Sequence, residues 1–225
     1  MWEDFLALIF PEYCRACRGF LERGEQYICT DCRYNLPRAN SLAYGGELSQ
    51  KFWGRANIHY ALGYLKFSKG GRVQRLLHEL KYEGQEEIGE VLGRWYGFEL
   101  SESGLSDKFD LILPVPLHPS KRQKRGYNQS DGFAKGLSEG LQVPWSEAVI
   151  QRVVPTQTQT KKKRMDRWYN VAEIFVVEDE PSVKDKRILL VDDVITTGAT
   201  LEACANVLFN HGCQTVSIAV IAVAT

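Results

Sequence analysis

Hydrophobic and polar positions repeat with two different periods along this chain, and each change of period marks an element. IHYALGYLKF (58–67) reads as a strand, closed off by a turn at Gly70 and Gly71. In RVQRLLHELKYEG, Val73, Leu76, Leu77 and Leu80 recur at three- and four-residue steps, which predicts a helix that stops at Gly84. EEIGEVLGRWYGFEL (86–100) predicts a second helix. DLILPVP (110–116) is the next buried strand, and NQSDGFAKGLSEG is the next helix, entered past Asn128. VIQRVV and IFVVED are two further strand candidates. RILLV (187–191) is aliphatic throughout, which suits a parallel strand buried on both faces. Behind it, Leu201, Cys204, Ala205, Leu208 and Phe209 share a helical face before Gly212, and TVSIAVIAVA closes the chain. Strand and helix alternate, so the expected class is α/β: a mostly parallel sheet with helices on both faces.

The N-terminal third is different. MWEDFLALIF is apolar but too short to cross a bilayer, and Glu3 and Asp4 stand where a signal peptide needs basic residues. It reads as a packing helix, which predicts no membrane segment and a cytoplasmic protein. LPRANSLAYGGELSQKFWGRAN is polar and Gly-dotted, without a sustained period. It reads as a linker with a short ordered stretch around Phe52 and Trp53. The expected organisation is an N-terminal helix and cysteine module over 1–36, a linker over 37–57 and the α/β domain over 58–225.

Four cysteines give the first module its chemistry. Cys14-x-x-Cys17 and Cys29-x-x-Cys32 are two knuckles separated by eleven residues, a little shorter than the commonest ribbon spacing. In a cytosolic chain such a pair of knuckles argues for a tetrahedral thiolate zinc site over disulfides. Four thiolates leave no open coordination position, so the zinc is structural. Cys204 falls on a predicted apolar helix face and reads as core, as does Cys213.

Charge matters locally rather than globally. Lys and Arg number 28, as do Asp and Glu, so no overall field draws the chain to DNA or membrane. Two basic clusters stand out: Lys121, Arg122, Lys124 and Arg125 in one predicted loop, and Lys161, Lys162, Lys163, Arg164 and Arg167 in another. Ligands of open parallel sheets bind at the carboxyl ends of the strands, where both loops fall.

A third strand end carries the most specific chemistry. ILLVDDVITTGAT runs from buried strand through Asp192 and Asp193 into Thr196, Thr197, Gly198, Ala199 and Thr200, at the start of a helix. A helix N-terminus offers unpaired N–H groups and the positive end of its dipole, threonines add hydroxyl donors, and glycine lets the backbone approach. Phosphate suits that turn. The two acids repel phosphate but accept hydrogen bonds from vicinal hydroxyls, so the pair of features describes a ribose 5-phosphate.

VDDVITTGAT resembles the PRPP-binding motif of type I phosphoribosyltransferases. By that resemblance Asp192 and Asp193 hold the ribose hydroxyls together with Mg2+, and residues Thr196 to Thr200 hold the 5-phosphate. The tetracysteine module, KYEG, PVPLHPSKRQKRGYNQS, PTQTQTKKKRMDRWYN and VDDVITTGAT stand in an order similar to that of the ComF/GntX family. Its members are phosphoribosyltransferase-like proteins with an N-terminal zinc module, associated with DNA uptake in natural competence. The resemblance covers the chain from about Cys14 onward. It implies a type I phosphoribosyltransferase fold behind the zinc module, and PRPP as ligand. It also implies a pyrophosphate loop over Val115 to Arg125 with Lys121, Arg122 and Arg125, and a flexible closing loop over Thr156 to Arg167 with Lys161, Lys162, Lys163 and Arg164.

One departure is informative. Purine-salvage enzymes place an acidic base three positions after the second acid, whereas this chain has Thr196, which takes no proton at neutral pH. No catalytic base is assigned, and the acceptor of a phosphoribosyl group is not named by any residue. The resemblance therefore implies either a phosphoribosyltransferase with an unidentified acceptor or a binding protein without transfer activity. In the second case the chain senses PRPP or binds single-stranded DNA through its basic loops and the aromatics Tyr127, Trp168 and Tyr169, with DNA-uptake proteins as partners.

Overall fold

The computed structural model describes residues 11–39, 46–153 and 175–224. Along the chain these form α1 (Thr30–Asn35), α2 (Glu47–Gln50), β1 (Ile58–Phe67), α3 (Arg72–Tyr82), α4 (Glu87–Glu102), β2 (Leu111–Pro114), α5 (Pro119–Arg125), α6 (Gln129–Leu141), β3 (Ile150–Arg152), β4 (Phe175–Val177), β5 (Arg187–Ile195), α7 (Ala199–Asn210) and β6 (Thr215–Ala224). MWEDFLALIF and the basic stretch Lys161 to Arg164 lie outside the described residues, as do Trp168 and Tyr169.

Four strands make a parallel sheet in the order β1-β6-β5-β2. The alternating side chains of β5 explain why helices cover both faces. Leu189 and Val191 enter one apolar cluster with α3, α4 and α6, while Ile188 and Leu190 enter the other with α7. The two further strand candidates pair with each other instead, as an antiparallel sheet of β3 and β4 apart from the main one. The strand RILLV continues through both acids to Ile195, because Asp192 stays in register with Val220 and Val194 with Ala222.

The basic run after β2, expected as a loop, is helical. Pro119 occupies the first turn, His118 Nδ1 accepts from Ser120 N–H at 3.3 Å, and Gly126 ends the helix at φ +87°. No residue of α5 is buried, so periodicity carried no signal there.

Helices α4 and α6 pack through two glycine ladders. Gly89, Gly93 and Gly97 face Gly132, Gly136 and Gly140, each set at four-residue spacing, so the backbones nearly touch. A Cβ built on Gly136 would stand 2.1 Å from Glu90 O and 2.6 Å from Arg94 N. Gly136→Ala is therefore expected to cost at least the 1–3 kcal/mol typical of overpacking. Urea unfolding measures this, and a variant as stable as wild type would show that the helices can separate without penalty.

Two segments before the sheet join its cores. Cys14, Ala16, Ile28, Cys32 and Leu36 belong to the same buried cluster as Leu62, Leu76 and Leu80, while Leu48 and Phe52 belong to the opposite one. Among the described residues no helix is long and apolar enough to cross a membrane.

Candidate functional site

Parallel packing sends the carboxyl ends of β5 and β2 to the same edge of the sheet, and with them the acid pair, the glycine turn and the basic helix. Asp193 is 5% exposed, and its Oδ2 lies 2.9 Å from Lys81 Nζ at the end of α3. The contact is ionic in character, since Oδ2 accepts no hydrogen bond of regular geometry. Asp192 accepts from Ser130 Oγ at 3.1 Å and from the Asp193 backbone N–H at 2.8 Å. Burial, and then the adjacent Asp193 charge, push its carboxyl up to about 7 against those two donors. Asp192, beside a second acid at the end of a buried strand, thus sits poised between its charged and neutral forms, a state that a polyhydroxyl ligand or a cation would resolve.

Lys81 also lines a cleft of about 340 Å³ with Tyr82, Gly84, Lys121, Lys124, Arg125 and Tyr127. No acid lines it among the described residues. The Arg125 guanidinium lies 5.4 Å from the centre of the Tyr82 ring and donates to Gln129 Oε1 at 2.5 Å. The Tyr127 hydroxyl is fastened to Leu80 O. Helix geometry splits the basic run: Lys121 and Arg125 reach this cleft, whereas Arg122 turns to Glu147 at 2.8 Å. Arg122 lines a second cleft, of about 620 Å³, between Pro116, Asn128 and Arg152. Asp131 lines it too, its carboxyl pushed up to about 7 by burial and by the neighbouring Glu147 charge.

The turn after β5 has the expected form. Thr196, Thr197, Ala199 and Thr200 are exposed, and Gly198 is the left-handed N-cap of α7 at φ +78°. Three cations around the site have no role legible from local sequence: Lys81, and Lys51 and Arg55 behind the turn. KYEG places Lys81 at a helix end and in a motif of the family resemblance, but nothing local pairs it with Asp193.

The tetracysteine module forms a separate centre. The Sγ atoms of Cys14, Cys17, Cys29 and Cys32 all lie within 4.8 Å of one another. A Zn–S bond of about 2.3 Å puts tetrahedral thiolates about 3.8 Å apart, and Cys17 and Cys29 are 3.7 Å apart. Backbone N–H groups of Cys29, Gly19 and Cys32 point at the sulfurs of Cys14, Cys17 and Cys29, at 3.3, 3.4 and 3.5 Å, an arrangement that favours thiolates. The donor set can hold a metal ion. Cys204 and Cys213 are buried in the core on the far side of the sheet and take no part.

The family profile described as "Phosphoribosyl transferase domain" matches residues 129–224, the part that carries the acid pair and the glycine turn. "DNA utilization protein YhgH" of Salmonella typhimurium is 33% identical over 226 residues, covering 94% of this chain and 96% of that one. "Competence protein F" of Haemophilus influenzae is 26% identical over 91% of this chain and 94% of its own. "Competence protein ComFC" of Bacillus subtilis is 29% identical over 92% of this chain and 82% of its own. The matches run along nearly the whole length of this chain, which belongs to the ComF family, with a type I phosphoribosyltransferase fold behind a tetracysteine module.

Proposed function

We propose that the edge formed by β5, β2 and α3 binds PRPP with Mg2+, and that the protein transfers the phosphoribosyl group to a nitrogen acceptor in the course of DNA uptake. The observation that carries this reading is Lys81. Its ammonium pairs with Asp193 on one side and lines the cationic cleft of Lys121 and Arg125 on the other. A ribose on Asp192 and Asp193 would then have its 5-phosphate on the turn Thr196 to Thr200 and its pyrophosphate among Lys81, Lys121 and Arg125.

Magnesium, held by Asp192 and Asp193 with the ligand, would neutralise charge on the leaving group. The chain's own part is electrostatic. Cations fixed around the pyrophosphate stabilise it as the C1–O bond breaks and the electron pair departs with it, while the acceptor nitrogen forms its bond to C1. In the module we assign structural zinc to the four cysteines, because the sulfur spacing suits it. The names of the relatives, "DNA utilization" and "Competence", support placing the activity in DNA uptake, and we place the protein in the cytoplasm.

A second reading, single-stranded DNA bound without transfer, draws support from Tyr82. It is 64% exposed beside Arg125 and next to Lys81 in sequence, an aromatic platform flanked by cations. Incubation with PRPP, Mg2+ and a panel of nitrogen bases, followed by a pyrophosphate assay, separates the two. Acceptor-dependent pyrophosphate release is expected. No release with any base, together with an oligonucleotide that saturating PRPP displaces, would favour the binding reading.

A further inference from the structure

Residues 46–57 have no chemistry in the reading above, yet they are folded against the back of the phosphate turn. Phe52 is 1% exposed and its ring lies under Gly198, where an added Cβ would come within 3.0 Å of two ring carbons. Gly198 thus answers two demands at once, a left-handed φ of +78° and contact with an aromatic face. Lys51 Nζ donates to Thr196 O at 3.1 Å, and Arg55 Nη1 donates to Thr197 O at 3.0 Å. Arg55 is itself held by an ion pair with Glu202 in the first turn of α7.

The peptide unit is planar and trans, so its C=O and N–H point in opposite directions. Fastening Thr196 O toward residues 46–57 turns the Thr197 N–H away from them. Fastening Thr197 O does the same for the Gly198 N–H. Among the described residues neither N–H donates to another group. An anion site built from backbone gains most when its donors are oriented before the ligand arrives, because ordering on binding subtracts from affinity.

The geometry points to Lys51 and Arg55 as positioning residues of the 5-phosphate subsite: each holds one peptide unit of the turn with its N–H presented outward. This rests on the PRPP reading and extends it, since the subsite then depends on a segment far from it in sequence.

Calorimetric titration of the full chain with ribose 5-phosphate, PRPP–Mg2+ and inorganic pyrophosphate tests the assignment. Lys51→Met and Arg55→Gln should each weaken ribose 5-phosphate and PRPP about 2–10-fold, the worth of one oriented hydrogen bond. Pyrophosphate affinity should not change. Lys51→Arg, which keeps a cationic donor, should recover most of the loss. The ratio of variant to wild type should persist near 1 M salt, where the Debye length is about 3 Å and distant charges no longer act. If Arg55→Gln lowers the ligand-free melting temperature, the Lys51→Met ratio decides alone, because the Lys51 ammonium makes this one hydrogen bond among the described residues. Unchanged ribose 5-phosphate affinity in Lys51→Met, an equal loss for pyrophosphate, or a ratio that vanishes in salt overturns the inference and leaves the PRPP reading intact. A wild-type protein that binds neither ribose 5-phosphate nor PRPP removes that reading, and the inference falls with it.

Discussion

Stripping the zinc proposed for the four cysteines with a strong chelator is expected to unfold residues 11–39 and to lower the melting temperature of the whole chain. The module has no core of its own: its buried Ile28 and Leu36 pack into the cluster that also holds Leu76 and Leu80 of α3. It is also tied to α3 by charge. Glu79 is 3% exposed, and its carboxylate is met by Arg18 at 2.6 Å and Arg15 at 3.7 Å, both from the module. Unfolding the module would expose the apolar face of α3 and strip Glu79 of its partners. Structural zinc contributes roughly 10–16 kcal/mol to small zinc peptides, and only part of that is shared with the larger domain. A shared part of several kcal/mol, at about 2–4 °C per kcal/mol for a chain of this size, lowers the melting temperature by on the order of 10 °C. Metal analysis should find about one zinc per chain, unaltered in Cys204→Ala, whose side chain is buried in the opposite cluster. A metal-free protein that melts at the same temperature would sink the structural role.

Much of this architecture can be read from local pattern. β1 and α3 fall where the period changes, the two-faced β5 follows from its unbroken aliphatic run, and the cysteine spacing forecasts a cluster that the sulfur positions bear out. What local pattern does not carry is nonlocal or lacks an apolar face. Helix α5 buries nothing, so its residues look like a loop until Pro119, His118 and Gly126 are seen acting as caps. The glycine ladders of α4 and α6 are visible as letters, but each glycine alone reads as a weak point in a helix. Only the facing helix shows why a Cβ is forbidden there. Lys81 and Asp193 meet across the sheet edge, and Lys51 reaches Thr196 from a stretch with no period. A sequence supplies both members of such pairs without saying that they touch.

Replacing Asp192 and Asp193 together by Asn should remove most of the stabilisation that PRPP–Mg2+ confers, while the ligand-free fold persists. A ligand at one hundred times its Kd stabilises the state it binds by about 2.7 kcal/mol, which corresponds to roughly 5–11 °C in melting temperature for a chain of this size. The double variant should show little of that shift, and a shift equal to wild type would mean that the acids do not hold the ribose. The pH dependence separates the two acids further. Asp192 is raised from the ordinary 3.8 to about 7 by burial and the Asp193 charge, so between those values the folded chain holds a proton that the unfolded chain has lost. Its contribution to stability is full below about pH 4 and declines as pH rises to about 7. Asp192→Asn abolishes that decline, so relative to wild type the ligand-free variant should gain stability as pH rises from 5 to 8. Binding runs the other way. Ribose hydroxyls and a divalent cation need the ionised carboxylate, so wild-type affinity for PRPP should rise from pH 6 to 8. The ligand's own phosphates titrate near 6, and the part of the rise that disappears in Asp192→Asn belongs to the protein. Opposite slopes for stability and affinity, both flattened by one amide, are the signature of a carboxyl that burial keeps half-neutral until its ligand takes the charge. Parallel slopes in wild type and variant would place the titrating group elsewhere.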